Sequence, residues 1–256
     1  RGGWPKYLYA KSKKGELLIV KELYEQTYKT DVSKVDGTNR DPEIAKLILR
    51  SYSRNICTLA DNRVIIGDVN SNHPISETTY YDYIGALKKL YIIDDLEAWC
   101  PAIRSKSAIR SGVKRNLVDP SIAVAALGAS PEYFAKDFKT LGFLFESLCI
   151  RDLKVYSSSM RGSMSYYHDR YGLEADGVLN LEDGRYALLE FKLGESEVPE
   201  ASKHLCEIEK LIIEYNKKEK QCPLRLPDLK IIVTGTQYGY KDDSGVFVIP
   251  LACLKN

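Results

Sequence analysis

Residues 173–193, LEADGVLNLEDGRYALLEFKL, constrain the fold more than any other stretch. Two strand-like runs meet across Glu182-Asp183-Gly184, a three-residue turn whose glycine supplies the positive φ such a hairpin needs. The turn sets Leu181 against Arg185 and, counting outward, Asp176 against Glu190. Side chains alternate along a strand, so Tyr186, Leu188, Glu190 and Lys192 should share one face, and Glu174, Asp176 and Val178 the matching face of the partner. Asp176, Glu190 and Lys192 then converge. Carboxylates facing each other across a ladder repel, so the arrangement costs stability unless a cation offsets it. A divalent metal held by Asp176 and Glu190 is the natural cation, because hard oxygen ligands with water still attached suit Mg²⁺, with Mn²⁺ as the other expectation. Beside such an ion, Lys192 can steer or deprotonate an attacking water or stabilise charge on a phosphate. That is the chemistry of phosphodiester hydrolysis. The bland alternative is a solvated Glu190–Lys192 ion pair on a sheet face.

The flanks of this hairpin extend the pattern. Residues 137–155 (DFKTLGFLFESLCIRDLKV) read as one long apolar helix, interrupted by Glu146 between Phe143-Leu144-Phe145 and Leu148-Cys149-Ile150. A charge in such company wants a partner, and holding a metal-bound water would make Glu146 a fourth catalytic group. Strand-like runs at residues 165–168, 173–181 and 186–193, a polar helix from Pro199 to about Lys217, and strands at 229–234 and 246–250 follow. Helix, three-strand meander, helix, strand is an α/β sandwich order.

The first 118 residues read differently. Helical spacing runs over 13–29; Asp41-Pro42-Glu43 is an N-cap, a first-turn proline and a first-turn acid; and Ser76 opens a third helix to Tyr91. Val64-Ile65-Ile66-Gly67 is a short apolar piece, and residues 91–96 a strand. Helices followed by a strand pair give the order of a winged helix, whose wing would be the loop at 100–116. Between Pro101 and Val118 stand five basic residues, Arg104, Lys106, Arg110, Lys114 and Arg115, and no acid. They are candidates for phosphate contact with DNA. The alternative is a solvated loop, or one docked on acidic protein surface. Glu77, Asp82 and the tyrosines of the 76–91 helix make it a poor reader of bases.

Composition sets limits on these readings. A 44% hydrophobic, 28% charged chain of 256 residues fits a globular protein of two domains, and no apolar run approaches a membrane span. A formal charge of +2 implies no nucleic acid by itself. Six cysteines without a CxxC pair point to a reducing cytoplasm and away from structural zinc, and His73, His168 and His204 form no ligand spacing. No GxxxxGK[ST] stretch is present, so no nucleotide site is expected. The chain starts at Arg1, as expected of a piece of a longer protein with a domain upstream.

Gly142-Phe143-Leu144-Phe145-Glu146, Tyr166 through Asp176, and Leu188-Leu189-Glu190-Phe191-Lys192 resemble the C-terminal region of a bacterial and archaeal family of AAA+ ATPases. Arg1-Gly2-Gly3-Trp4-Pro5 resembles the start of that region, Asn116-Leu117-Val118-Asp119 its central aspartate motif, and Val248-Ile249-Pro250-Leu251 its ending. One departure is His168-Asp169-Arg170, where the family more often has an arginine sooner after the tyrosines. The resemblance implies an α/β protein: a helical winged-helix domain over 1–118 followed by a restriction-endonuclease-like PD-(D/E)XK domain over 119–256. It also implies an ATPase domain upstream as partner. Two functions follow as expectations. The first is a Mg²⁺- or Mn²⁺-dependent endonuclease module acting on or binding DNA; the second is a non-enzymatic DNA- or protein-interaction regulator of the ATPase with an idle site.

Overall fold

Asp41 does what its sequence context dictates: its carboxylate accepts the Glu43 amide at 2.8 Å, and a helix runs from Pro42 to Arg54. The chain's other early helices start on the same device. Ser12 caps α1 (Lys13–Gln26) and Ser76 caps α5 (Glu77–Lys89). After α1 come a π-helical turn, Thr27–Asp31, and the short α2 (Val32–Lys34); Pro42–Arg54 is α3. The apolar piece at 64–67 is a helix too. Asp61 caps α4 (Asn62–Asn70), and Ile65 and Val69, four apart, are fully buried. Further along are α6 (Pro120–Leu127), α7 (Pro131–Phe134) and the long α8 (Phe138–Ser157).

The computed structural model describes residues 2–102 and 111–255. They fall into two units, Arg1–Asp95 with Lys114–Ser147, and Leu96–Val113 with Leu148–Asn256. Sequence had placed one boundary at 118/119, whereas residues 119–147 group with the first unit. The reason lies at Asp119. Its carboxylate caps α6 through the Ser121 amide at 2.8 Å and also accepts the Gly3 amide at 2.9 Å, while the Trp4 indole donates to Ser121 Oγ at 2.9 Å. Gly2 must be glycine there. Its φ is +79°, and a Cβ would lie 2.4 Å from Ser121 Oγ.

The strand expected at 91–96 is only a minimal ladder: Ile93 bridges Leu117, Asp94 donates to Asn116 O and Val118 to Ile92 O, both at 3.0 Å. Residues 103–110 of the intervening loop, with Arg104, Lys106 and Arg110, lie outside the described residues.

The second unit carries a six-stranded mixed sheet in the order β1-β2-β3-β4-β6-β5, so the chain is an α/β protein with helices first and the sheet after. Strands β1 (Ser163–His168), β2 (Glu174–Asn180) and β3 (Tyr186–Lys192) form an antiparallel meander. Helix α9 (Val198–Lys218) then carries the chain to β4 (Leu229–Thr234), parallel to β3; β6 (Phe247–Pro250) is parallel to β4, and β5 (Tyr240–Lys241) closes the edge. Val198, Ala201, Leu205, Ile208 and Ile212 recur at helical intervals and pack on Val178, Leu188, Ile232 and Val248. Each larger aliphatic in that stripe contributes roughly 1.5–3 kcal/mol of transfer free energy. All six cysteines are free thiols. No helix among the described residues is long and apolar enough to cross a membrane.

Candidate active site

The β2–β3 turn builds the register that its sequence dictates. Leu181 donates to Arg185 O at 2.8 Å, Gly184 sits at φ 82°, and the ladder pairs Asn180 with Tyr186, Val178 with Leu188 and Gly177 with Leu189. On the other edge of β2 the count slips. Ser165 pairs with Val178 but Tyr167 with Ala175, so Asp176 and Gly177 together oppose the single residue Tyr166. This is a β-bulge, a device that re-aims a side chain. Strict alternation was expected to put Glu174, Asp176 and Val178 on one face. The bulge breaks it: Ala175 and Val178, three apart, pack in the same core cluster, and Glu174 is exposed. Gly177 permits this, because a Cβ there would meet Met164 Cε at 3.0 Å and Phe191 Cζ at 3.1 Å.

The re-aimed Asp176 reaches beyond the last ladder pair. Its Oδ2 accepts the Phe191 amide at 3.0 Å and lies 3.5 Å from Lys192 Nζ, which in turn contacts Glu190 Oε2 at 2.8 Å. One lysine therefore bridges two carboxylates, all three on adjacent strands. Glu190 is only 1% exposed, and its Oε1 is buried with no hydrogen-bond partner among the described residues. Burial pushes its carboxyl well above the ordinary carboxylate range, the negative charge of Asp176 pushes it further, and Lys192 pulls the other way. The site thus holds one negative charge more than its lysine neutralises whenever both acids ionise.

Glu146 belongs to the first unit, where it is buried and paired with Lys114 Nζ at 2.6 Å. The partner its apolar surroundings demanded is thus a lysine that the sequence had assigned to the basic loop. Lys114 is 5% and Arg115 6% exposed, so neither presents its charge to solvent. Arg115 donates to Ala60 O, Tyr52 Oη and Asn62 Oδ1 at 2.9, 3.1 and 2.6 Å, and stacks over the Tyr52 ring. These two cations are parts of the first unit's interior; charge alone, read along a sequence, cannot tell them from the wing.

An acidic pair with an orphaned, buried carboxylate oxygen fits a divalent cation, since hard oxygen donors are what Mg²⁺ and Mn²⁺ take. Asp176 and Glu190 would be its donors from the sheet, and among the described residues no group of three or more His, Cys, Asp or Glu converges as a ligand set. The sequence carried a sign of the bulge that alternation missed: a glycine inside a strand, directly after the aspartate.

Comparisons with known proteins assign residues 1–133 to the domain of unknown function DUF8612 and residues 141–254 to the domain of unknown function DUF4143. The latter is found in C-terminal regions associated with AAA ATPases. No curated protein and no solved structure gives a significant match.

Proposed function

For a chain that belongs to the DUF8612 family over its first 133 residues, we propose that the DUF4143 segment is a PD-(D/E)XK-type module hydrolysing phosphodiester bonds in DNA, with Asp176, Glu190 and Lys192 as its catalytic residues. The buried Glu190 Oε1 beside Asp176, without a hydrogen-bond partner among the described residues, carries this reading. Asp176 and Glu190 would hold a divalent cation, which when bound would polarise a phosphoryl oxygen and acidify a water. The bulge and the Phe191 amide hold Asp176, and Glu190 would bring a second carboxylate, with Lys192 as its cationic neighbour among the described residues. Lys192 sits between them on a strand end, where it can hold a phosphate oxygen or take a proton from an aligned water. The helices of the first unit, with the ladder at Ile93–Leu117, would serve as a winged helix, and Arg104, Lys106 and Arg110 as its phosphate contacts. An ATPase domain is the expected partner.

Lys192 contacts both carboxylates, and an acidic pair already bridged by a lysine favours a second reading, a regulatory module with an idle site. The experiment that separates them incubates the chain with supercoiled, branched and single-stranded DNA in Mg²⁺ or Mn²⁺, with and without chelator. Chelator-sensitive cutting lost in Asp176→Asn supports the enzyme. No cutting of any form, with a thermal midpoint indifferent to both metals, leaves the regulator.

A further inference from the structure

The sheet's topology gathers several loops at one end. Because β2 runs antiparallel to β3 and β4 and β6 run parallel to it, the β1–β2 turn, the exits of β3, β4 and β6, and the start of β5 all lie at the end where Lys192 stands. Two tyrosines there are among the most exposed in the chain, Tyr171 on the β1–β2 turn at 78% and Tyr238 between β4 and β5 at 79%.

Tyr171 is held out on a pre-organised turn. The Asp169 carboxylate accepts the amides of Tyr171 and Leu173 at 2.8 and 2.9 Å, Asp169 N donates to Leu173 O at 2.9 Å, and Gly172 closes the turn at φ +85°. Arg170 lies over the ring, its guanidinium carbon 4.6 Å from the centroid. A large aromatic face and a cation are thus held in solvent. Strands lie about 4.8 Å apart, so the β1–β2 turn is roughly 12 Å from the exit of β4 and roughly 22 Å from the start of β5, between which Tyr238 lies, with the strand of Lys192 inside that span. A few nucleotides of extended strand span that distance. Beyond Thr234, the ladder partner of Lys192, an open cleft of about 400 Å³ lined by Tyr156, Thr236 and Leu251 leaves room for a displaced base.

We infer that this end of the sheet binds unpaired polynucleotide, with bases stacked on Tyr171 and Tyr238 on either side of Lys192 and the backbone drawn by Arg170 and Lys192. The inference rests on the proposed DNA reading and names its substrate class: single-stranded or locally opened nucleic acid. A base in a duplex has no π-face to offer an exposed ring, whereas every unpaired base has two. The nearby acids Asp169, Asp176 and Glu190 oppose the charge of the backbone, and a divalent cation held by the acidic pair, as in the Ca²⁺ of the test, would offset them.

The test is fluorescence anisotropy of the whole chain with a labelled 20-nucleotide oligo-dT and with a 20-base-pair duplex, in Ca²⁺ at low salt, alongside cleavage assays in Mg²⁺. The single strand should bind at least tenfold more tightly than the duplex. Tyr171→Ala should weaken single-strand binding about fivefold or more, as the loss of one base–aromatic stack does. Tyr171→Phe, which keeps the ring, should not, and an unchanged thermal midpoint shows that both variants fold. Single-strand preference with Tyr171 dependence but no cutting sinks the nuclease and leaves the inference standing. Metal-dependent cutting of duplex with no effect of Tyr171→Ala overturns the inference and leaves the nuclease. Absence of binding to either nucleic acid overturns the inference.

Discussion

Glu190→Gln is the substitution that most directly interrogates the acidic pair. The wild-type carboxyl is 1% exposed and weakened as an acid, first by burial and then by Asp176. A folded-state pKa raised above the unfolded value near 4.3 means that the native state binds the proton more tightly, so this group's contribution to stability is full below about pH 4 and is lost as pH rises through the raised value. Every tenfold weakening costs about 1.4 kcal/mol at alkaline pH, so even a hundredfold weakening costs about 3 kcal/mol. Glutamine imitates the protonated form. At pH 4 the variant should therefore melt within a degree or two of wild type, while at pH 8 in chelator it should melt higher by roughly 10 °C, for about 3 kcal/mol spread over a unit of this size. Millimolar Mg²⁺ or Mn²⁺ at pH 8 should restore the wild type and leave the variant unmoved, because a bound cation replaces the missing positive charge. Differential scanning calorimetry at the two pH values, with and without metal, is the assay. Parallel melting of variant and wild type at both pH values would refute the claim that Glu190 is a strained buried acid.

Other expectations follow from the same geometry. Lys192→Ala should abolish DNA cutting while the metal-induced rise in melting temperature survives, whereas Asp176→Asn should lose both; the readouts are gel cleavage and calorimetry. Gly177→Ala should cost about 1–3 kcal/mol in chemical denaturation, since its Cβ must push on Phe191 and Met164 at 3.1 and 3.0 Å. Replacing Arg104, Lys106 and Arg110 together by alanine should flatten the log–log salt dependence of duplex binding by about 2.7, and an unchanged slope would assign the basic loop to another partner. Asp119→Ala should destabilise by about 1–2 kcal/mol in the same denaturation assay, because it removes an N-cap and the anchor of Gly3 together.

Much of this could be read along the chain, and what could not has a common cause. The hairpin register followed from Gly184 alone, the α9 stripe from helical spacing, and the starts of α3 and α5 from Asp41 and Ser76, because each is a local rule acting within a few residues. Arg115 and Lys114 were misplaced because their partners are distant: Tyr52 and Asn62 lie 63 and 53 residues from Arg115, and Glu146 lies 32 from Lys114. The 64–67 piece read only as short and apolar because four apolar or small residues carry no period, and the Asp61 cap is what decides for a helix. Asp176, Glu190 and Lys192 were legible as neighbours. How Asp176 reaches the Phe191 amide was not, since a bulge is visible in sequence only as a glycine.

That bulge makes the second unit's architecture and its chemistry separable by one residue. Ala175 and Val178 belong to the same core although they are an odd number apart, so the strand carries a phase slip of one. Deleting Gly177 would set the two an even number apart and let ordinary alternation bury both. The shortened strand would be more regular than the natural one, and its aspartate would point wherever the pleat sent it. A chain of this kind can therefore keep its fold through a single-codon deletion while silencing its site, and ladder regularity here is a mark of lost aim.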